Sequence, residues 1–285
     1  MASCPLKVAI VQNDPQVGME NKRRNVENSI GYIAQAGKLN ADLVVFPELA
    51  NTGYAFATRQ EAFAHGESIE HGESVRLWKE AAKEHQLFIC AGLAEKEGSV
   101  LYNSSVLIGP QGLIGTYRKT HLWENEKLYF KPGSSGFPVF DTEIGRIGMA
   151  ICWDAWFPEV FRILGAQGAD IVCSLNNFSL TADTSFDDKG TPMSTYLMMS
   201  HAHMNGMFVV SANRVGAERG ERFIGGSLLV GPQGWPLAEA PSDEETMLVH
   251  DIDLALSRQT VWSRYNDLYG DRRVDLYDGM LGYRP

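Results

Sequence analysis

Short apolar runs alternate with longer amphipathic segments along the chain. The runs at 42–46 and 170–175 are almost wholly apolar, which is typical of strands buried on both faces. The apolar periodicity over 21–37 and 73–85 predicts helices. Further strands are predicted over 6–12, 87–93, 100–108, 113–118, 207–212, 223–230, 235–238 and 247–252 and from 147 to Cys152, with further helices over 158–167 and 194–205 and a polar loop over 178–191. The alternation predicts an α/β protein.

The order of these segments repeats loosely. Residues 41–48 resemble 169–176, and the turn at 109–112 recurs verbatim at 231–234. Two further matches keep the same order, 8–12 with 148–152 and 87–92 with 207–212. We therefore expect two pseudo-symmetric halves, each a sheet with helices on its outer side, facing each other in a four-layer α-β-β-α sandwich. Residues 1–285 are expected to form one domain with an extended tail from about residue 260.

Composition excludes several classes of partner. The net charge of −10 and the lack of a basic cluster disfavour nucleic acid and anionic membranes. No apolar run approaches the ~20 residues of a membrane span, and the start of the chain predicts a first strand, not a signal peptide. The four cysteines have neither a close pair nor metal-ligand spacing, so we expect no metal site and a cytoplasmic location.

The first candidate for chemistry follows the apolar run 147–151. The run ends on Cys152, aromatic and polar residues come next, and Pro158 opens a helical pattern. This cysteine would lie at the carboxyl end of a strand, where α/β proteins place their ligands. We expect the helix start to favour the thiolate. The alternative is a buried cysteine that acts as a small apolar residue.

Two more reactive residues are predicted at strand ends. Glu48 follows the buried run 42–46, and Lys119 follows the strand 113–118. A buried carboxylate is costly without a partner, so a structural ion pair is one interpretation. Catalysis is the other. A desolvated glutamate can take the proton of a cysteine, and a lysine can stabilise the anion that forms when the thiolate attacks a carbonyl carbon.

The nitrilase, or carbon–nitrogen hydrolase, superfamily has three motifs that this chain resembles: Val45-Phe46-Pro47-Glu48, Tyr117-Arg118-Lys119-Thr120-His121-Leu122 and Ile151-Cys152-Trp153-Asp154-Ala155-Trp156-Phe157-Pro158-Glu159. The resemblance runs to about residue 254. It implies that Glu48 is the general base, Cys152 the nucleophile and Lys119 the stabiliser of the tetrahedral intermediate. It also implies an oxyanion hole with the Trp153 amide, a second glutamate, Glu126, that holds Lys119, and the α-β-β-α body.

Histidine and asparagine residues near these motifs offer alternatives. His121 lies two positions from Lys119, and a Cys–His pair is an alternative, although the family's histidine at this place is not catalytic. His201 and His203 lie two apart in a helical pattern, which points them to different faces and disfavours a metal site. Asn176 and Asn177 follow the strand that the repeat pairs with Glu48, and either one can bind the substrate amide or simply form a turn.

The resemblance also bears on the substrate. True nitrilases commonly have Cys-Trp-Glu, whereas Asp154 stands here. The segment is similar to that of carbamoylputrescine amidases, apart from Ala155. Ala155 and Trp156 replace the paired arginines that hydrolases of carbamoyl amino acids use for a carboxylate. Tyr54, Trp153 and Phe178 are expected to line the pocket with the two asparagines.

The sequence therefore predicts a cysteine-dependent amidohydrolase without a cofactor. It would cleave a small carboxamide or N-carbamoyl compound through a thioester and release ammonia. The alternatives are a nitrilase and a non-catalytic binding or scaffold protein of the same fold. Because the tail from Trp262 is aromatic and polar without periodicity, we expect it to cross onto a partner subunit in a homodimer or a multiple of one.

Overall fold

A computed structural model describes residues 3–182 and 184–280. The first half of the chain contains β1 (Pro5–Gln12), α1 (Met19–Lys38), β2 (Leu43–Val45), α2 (Arg59–His65), α3 (Glu73–His85), β3 (Phe88–Glu97), β4 (Val100–Gly109), β5 (Gly112–Arg118) and α4 (Glu126–Tyr129). The second half contains β6 (Val139–Thr142), β7 (Gly145–Ile151), the 3₁₀-helix Cys152–Trp156, α5 (Pro158–Ala166), β8 (Ile171–Asn176), α6 (Met193–Asn205), β9 (Phe208–Asn213), β10 (Ala217–Glu218), β11 (Glu221–Arg222), β12 (Leu228–Val230), β13 (Pro236–Glu239) and β14 (Thr246–Asp253). The 3₁₀-helix Leu254–Arg258, β15 (Val261–Ser263), β16 (Asn266–Asp267) and α7 (Val274–Met280) follow.

Two six-stranded sheets form the body, in the orders β14-β1-β2-β3-β4-β5 and β13-β12-β9-β8-β7-β6. Strands β1, β2 and β3 run parallel to one another, as do β7, β8 and β9. In each sheet an antiparallel hairpin or strand extends both sides of this parallel centre. The predicted α/β sandwich of two similar halves is confirmed.

Period-two alternation explains the apolar runs. In β1, Val8 and Ile10 belong to the apolar core shared by the two sheets, whereas Ala9 and Val11 face the layer of α1 and α3. Both faces of the strand are buried, so almost every position must be apolar. Helices α1 and α3 cover the outer face of the first sheet, and the Trp78 indole joins them by donating to Ser29 Oγ at 2.8 Å.

Several elements were not predicted. They are α2, α4, β6 and the small hairpin β10–β11, all of them short segments that tertiary contacts stabilise. Strand β6 pairs with β7 and forms one edge of the second sheet. These segments are too short for their own hydrophobic periodicity to identify them.

The tail from about residue 260, which was predicted to be extended, contains short regular elements. It forms the hairpin β15–β16 and the helix α7, although residues 281–285 lie outside the described residues. The first part of the tail contacts helix α6 of the same chain. The Tyr269 hydroxyl donates to the Asn205 carbonyl at 2.8 Å, and the ring centroids of Trp262 and His203 lie 4.6 Å apart. Within the described part of the chain, no helix has the length and apolar content needed to cross a membrane.

Candidate active site

The ends of three strands bring the predicted catalytic residues together. Glu48 follows β2, Lys119 follows β5 and Cys152 follows β7. The Lys119 ammonium lies 2.7 Å from Glu48 Oε1, and both side chains are fully buried. Cys152 is 7% exposed and faces a cavity. The two sheets thus enclose an ion pair and present a thiol beside it.

The backbone at Cys152 is held in an unusual conformation. Its φ angle is +48°, in the left-handed region that costs a non-glycine residue about 1–3 kcal/mol. The strand turns sharply here into the 3₁₀-helix, whose first N–H groups, including that of Trp153, have no partner within the helix. The turn therefore places Cys152 next to N–H groups that have no partner within the helix.

Asp154 fixes this turn. Its buried carboxylate accepts from the Ile151 N–H at 2.9 Å and from the Tyr117 hydroxyl at 2.7 Å. It also accepts from the His121 N–H at 3.1 Å and lies 2.7 Å from His121 Nδ1. The His121 ring stacks on Phe157 at 3.8 Å. His121 therefore supports the turn through Asp154, which disfavours the alternative of a Cys–His pair.

Only one oxygen of Glu48 is held by neighbouring side chains. Oε1 accepts from Lys119 Nζ and from the Asn103 amide at 2.6 Å. Oε2 is buried and has no hydrogen-bond partner among the described residues. A buried oxygen without a hydrogen-bond partner destabilises the fold, so its presence needs an explanation such as a role in catalysis. It is the one site in the pair that is free to receive a proton.

Glu126 completes the buried charge group. Its Oε1 lies 2.7 Å from Lys119 Nζ and accepts from the Tyr54 hydroxyl at 2.9 Å. Burial raises the pKa of Glu126 to about 7, against the opposing effect of Lys119. Burial also opposes the charge of Lys119, but the carboxylates of Glu126 and Glu48 outweigh it and hold the pKa of Lys119 above its ordinary value.

The surroundings of Cys152 favour the thiol over the thiolate. Burial and then the charge of Glu48 raise the pKa of the Cys152 thiol well above its ordinary value. Lys119 and a hydrogen bond from the Asn177 N–H lower it only in part. Burial and the two carboxylates therefore oppose the effect that we expected from the helix start, which favours the thiolate.

A cavity of about 320 Å³ opens at Cys152. Its wall is a chain of aromatic contacts, with ring centroids 4.3 Å apart for Trp123–Trp153, 4.9 Å for Trp153–Trp156 and 5.3 Å for Trp156–Phe178. Hydroxyl side chains from the loop before α6 line the other side. No charged side chain is found among the described residues of this lining. A second cavity of about 300 Å³ adjoins the first at Trp123, and Tyr54 and Glu126 are among the residues that line it.

The structure separates the predicted pocket residues into two groups. Trp153, Asn177 and Phe178 line the cavity together with Cys152, and the Asn177 amide also donates to the Glu48 carbonyl at 3.0 Å. Asn176 does not reach it, because its side chain is buried in hydrogen bonds to Ser174 and Ser211. Tyr54 lies behind Glu126 and lines the second cavity instead.

Sequence reasoning missed Asn103, Trp123 and Trp156 as site residues. Asn103 interrupts the apolar strand β4 with a buried polar side chain, and that interruption was a usable signal. Trp123 comes from the irregular segment after β5, where no periodicity indicates its direction. Within the described ranges, no group of three histidine, cysteine or acidic side chains is arranged to hold a metal ion.

Comparisons with known proteins agree with this geometry. The family profile "Carbon-nitrogen hydrolase" matches residues 7–261, and the chain belongs to that family. A protein of Pyrococcus abyssi named nitrilase is 41% identical over 95% of this chain and 99% of its own length. An N-carbamoylputrescine amidase of Arabidopsis thaliana is 32% identical over 90% of each chain. A crystal structure of a carbon–nitrogen hydrolase from Helicobacter pylori G27 superposes with a TM-score of 0.85 at 28% identity, covering 98% of each chain.

Proposed function

We propose that this carbon–nitrogen hydrolase is a cysteine-dependent amidohydrolase that acts on a small carboxamide or N-carbamoyl compound. The observation that carries the proposal is the free Oε2 of Glu48 in a buried group with Lys119, beside the thiol of Cys152 at the end of an apolar cavity. A base with one unoccupied oxygen and a thiol with a raised pKa are suited to move a proton only when substrate is bound.

In the acylation step, Glu48 Oε2 takes the proton of the Cys152 thiol as the sulfur attacks the carbonyl carbon. The oxygen of the tetrahedral intermediate gains negative charge, which the Lys119 ammonium and the Trp153 N–H stabilise. Glu48 then gives its proton to the departing nitrogen. The C–N bond breaks, ammonia leaves, and a thioester on Cys152 remains.

Deacylation uses the same groups with water in place of the thiol. Glu48 takes a proton from water as the hydroxide adds to the thioester carbonyl. The intermediate collapses, the C–S bond breaks, and the proton on Glu48 returns to the sulfur. The products are a carboxylic acid and the free thiol, or a carbamic acid that loses carbon dioxide when the substrate is N-carbamoyl. Neither step needs a group outside the chain other than water.

The lining of the cavity supports a neutral or cationic substrate. No arginine or lysine is found among its described residues, so a substrate carboxylate would be buried without a partner. The faces of Trp123, Trp153 and Trp156 favour an apolar group and, through their π-systems, a cation. We infer poor turnover of anionic carbamoyl amino acids.

A nitrilase is the second candidate, since a relative 41% identical to this chain carries that name. A thiolate adds to a nitrile to give a thioimidate, and water then completes hydrolysis to the acid and ammonia. Asp154 binds the Cys152 turn, where nitrilases usually have a glutamate. The shorter side chain favours the amidase, and we expect nitriles to react poorly.

One panel separates these candidates and the non-catalytic alternative. Ammonia release is measured at neutral pH for an amide, a carbamoyl amine, an N-carbamoyl amino acid and a nitrile of similar size. We expect the highest kcat/KM for the amide or the carbamoyl amine, and we expect no ammonia release by Cys152→Ala. Cys4→Ala, at an exposed cysteine, is the control. A highest kcat/KM for the nitrile or the anion would refute the substrate assignment, and no turnover at all would favour the binding protein.

We also propose a homodimer, or a multiple of one, in the cytoplasm. Trp262 and Tyr265 of the tail are 55% and 77% exposed, and Trp235 on the edge of the second sheet is 69% exposed. Exposed large aromatic residues favour a protein interface. The cysteines of the described chain are free, which favours a reducing compartment. Light scattering that gives a stable, active monomer would refute the dimer.

A further inference from the structure

A second buried charge cluster lies behind the candidate site, and we name it the Arg214 cluster: Arg214, Glu218 and Asp14. Arg214 follows β9 and is fully buried. Its Nη1 donates to Glu218 Oε2 at 3.0 Å, and its Nη2 donates to Asp14. The proposed mechanism does not use these three residues, so the burial of Arg214 and Glu218 needs another reason.

Glu218 is 2% exposed and gathers backbone donors from two loops. Its Oε2 accepts from the N–H groups of Tyr54 at 2.8 Å and Ala55 at 2.7 Å, and its Oε1 accepts from Val17. The loop that carries Tyr54 is therefore tied to one carboxylate. A β-carbon at Gly53, which has a φ of +79°, would lie 2.5 Å from Glu218 Oε1. The chain leaves room for this carboxylate where a side chain would otherwise stand.

The same loop points the Tyr54 side chain at the candidate site. Its hydroxyl donates to Glu126 Oε1, the oxygen that also holds Lys119. The Phe223 ring meets the Tyr54 ring edge-on at 6.1 Å, while the Arg214 guanidinium lies 4.0 Å from the centre of the Phe223 ring. Arg214 thus supports Tyr54 twice, at its backbone through Glu218 and at its ring through Phe223.

We propose that Glu218 is a positioning residue for Glu126 and acts through Tyr54, with Arg214 holding Glu218 in place. Glu218 fixes the loop, Tyr54 then binds Glu126, and Glu126 keeps the ammonium of Lys119 beside Glu48. The consequence for the reaction rests on the proposed function, whereas the effect on Glu126 does not.

The direction of the effect on Glu126 follows from its surroundings. Lys119, Glu48, Tyr54 and Cys152 act on its charge, and Glu124, Tyr129 and Glu221 line the second cavity together with it. Burial raises the pKa of Glu126, Lys119 lowers it, Glu48 raises it, and the hydrogen bond from Tyr54 lowers it. Loss of the Tyr54 hydrogen bond must therefore raise the pKa of Glu126 further.

Infrared difference titration of the full chain measures this directly. Each variant is compared with the same variant carrying Glu126→Gln, so that the difference reports the Glu126 carboxyl group. Tyr54→Phe and Glu218→Gln should each move its midpoint upward by about half a pH unit to one pH unit, the equivalent of one hydrogen bond. The double variant should move it no further than the larger single shift, because the two residues act in series.

Two matched controls, Tyr32→Phe on α1 and Glu239→Gln on the exposed edge strand β13, should keep the wild-type midpoint. An unchanged midpoint in folded Glu218→Gln, or additive shifts in the double variant, would overturn the proposal. If Glu218→Gln does not fold, Phe223→Leu leaves all the charges paired and should give a smaller upward shift. No shift there would overturn the proposal as well. The titration needs no substrate, so a wild type that hydrolyses no amide would defeat the proposed function and still leave this result readable.

Discussion

Glu48→Gln separates the chemistry of the site from its stability. The substitution keeps the size of the side chain and an oxygen for Lys119 and Asn103, but an amide nitrogen replaces an oxygen and cannot accept the thiol proton. The buried group changes from one ammonium with two carboxylates to a balanced Lys119–Glu126 pair. We therefore expect the folded state to keep its stability, because no buried charge is left unpaired.

The acylation rate should fall steeply, because the amide nitrogen of glutamine cannot accept the thiol proton. A lost general base costs ~10²–10⁴-fold, which corresponds to about 2.7–5.4 kcal/mol at 1.36 kcal/mol for each tenfold change. Glu48→Gln removes one of the two effects that raise the pKa of the Cys152 thiol, but burial still raises it, and the variant has no group in place of Glu48 to accept the thiol proton. The loss should appear in the acylation rate and not only in the steady state.

Single-turnover acylation of Cys152, followed by quenching and mass spectrometry, measures that rate. Thermal unfolding of the same samples monitors stability, and Glu239→Gln on exposed β13 serves as the matched control. An acylation rate within a few-fold of wild type in folded Glu48→Gln would refute the assignment of Glu48 as the base. His121 would then be the next residue to test.

Four further predictions address the other groups. Iodoacetamide should abolish turnover by modifying Cys152, whereas modification of the exposed Cys4 alone should leave the rate unchanged; full activity with Cys152 quantitatively modified would contradict this. Lys119→Ala leaves two buried carboxylates without their cation and should lower the free energy of unfolding by about 3–5 kcal/mol in denaturant titration. Because the pKa of Glu126 is raised to about 7, kcat should fall as the pH drops through about 7 and Glu126 takes up a proton; a flat profile between pH 5 and 8 would contradict it. The same raised pKa means that the folded state binds this proton more tightly than the unfolded state. The free energy of unfolding should therefore decline as the pH rises from about 4.5 to 7, and Glu126→Gln should flatten that part of the curve of stability against pH.

The elements that sequence predicted best are those whose two faces are both buried. In β1 and β2 every second residue enters a different apolar core, so the run of apolar letters is itself the signature of the layer. The repeat then located the second sheet. Edge elements such as β6 and the hairpin β10–β11 have few residues and exposed positions, and they depend on contacts with distant parts of the chain.

The candidate site was predictable where a motif fixed a strand end. Glu48, Lys119 and Cys152 each follow a strand, and the sheets bring those ends together. The residues that support them come from loops without periodicity. Glu218 is an example, because its role depends on hydrogen bonds to residues 164 and 163 positions away, which no local pattern indicates.

The proposed hydrolysis passes through a thioester on Cys152. The most direct measurement mixes Glu48→Gln and wild type with a slowly hydrolysed amide, quenches in acid and identifies the modified peptide by mass spectrometry. We expect an acyl group on Cys152 that hydroxylamine removes, that accumulates more slowly in Glu48→Gln and that is absent from Cys152→Ala. Turnover of the same amide by Cys152→Ala at the wild-type rate, or an acyl group on another residue, would contradict it.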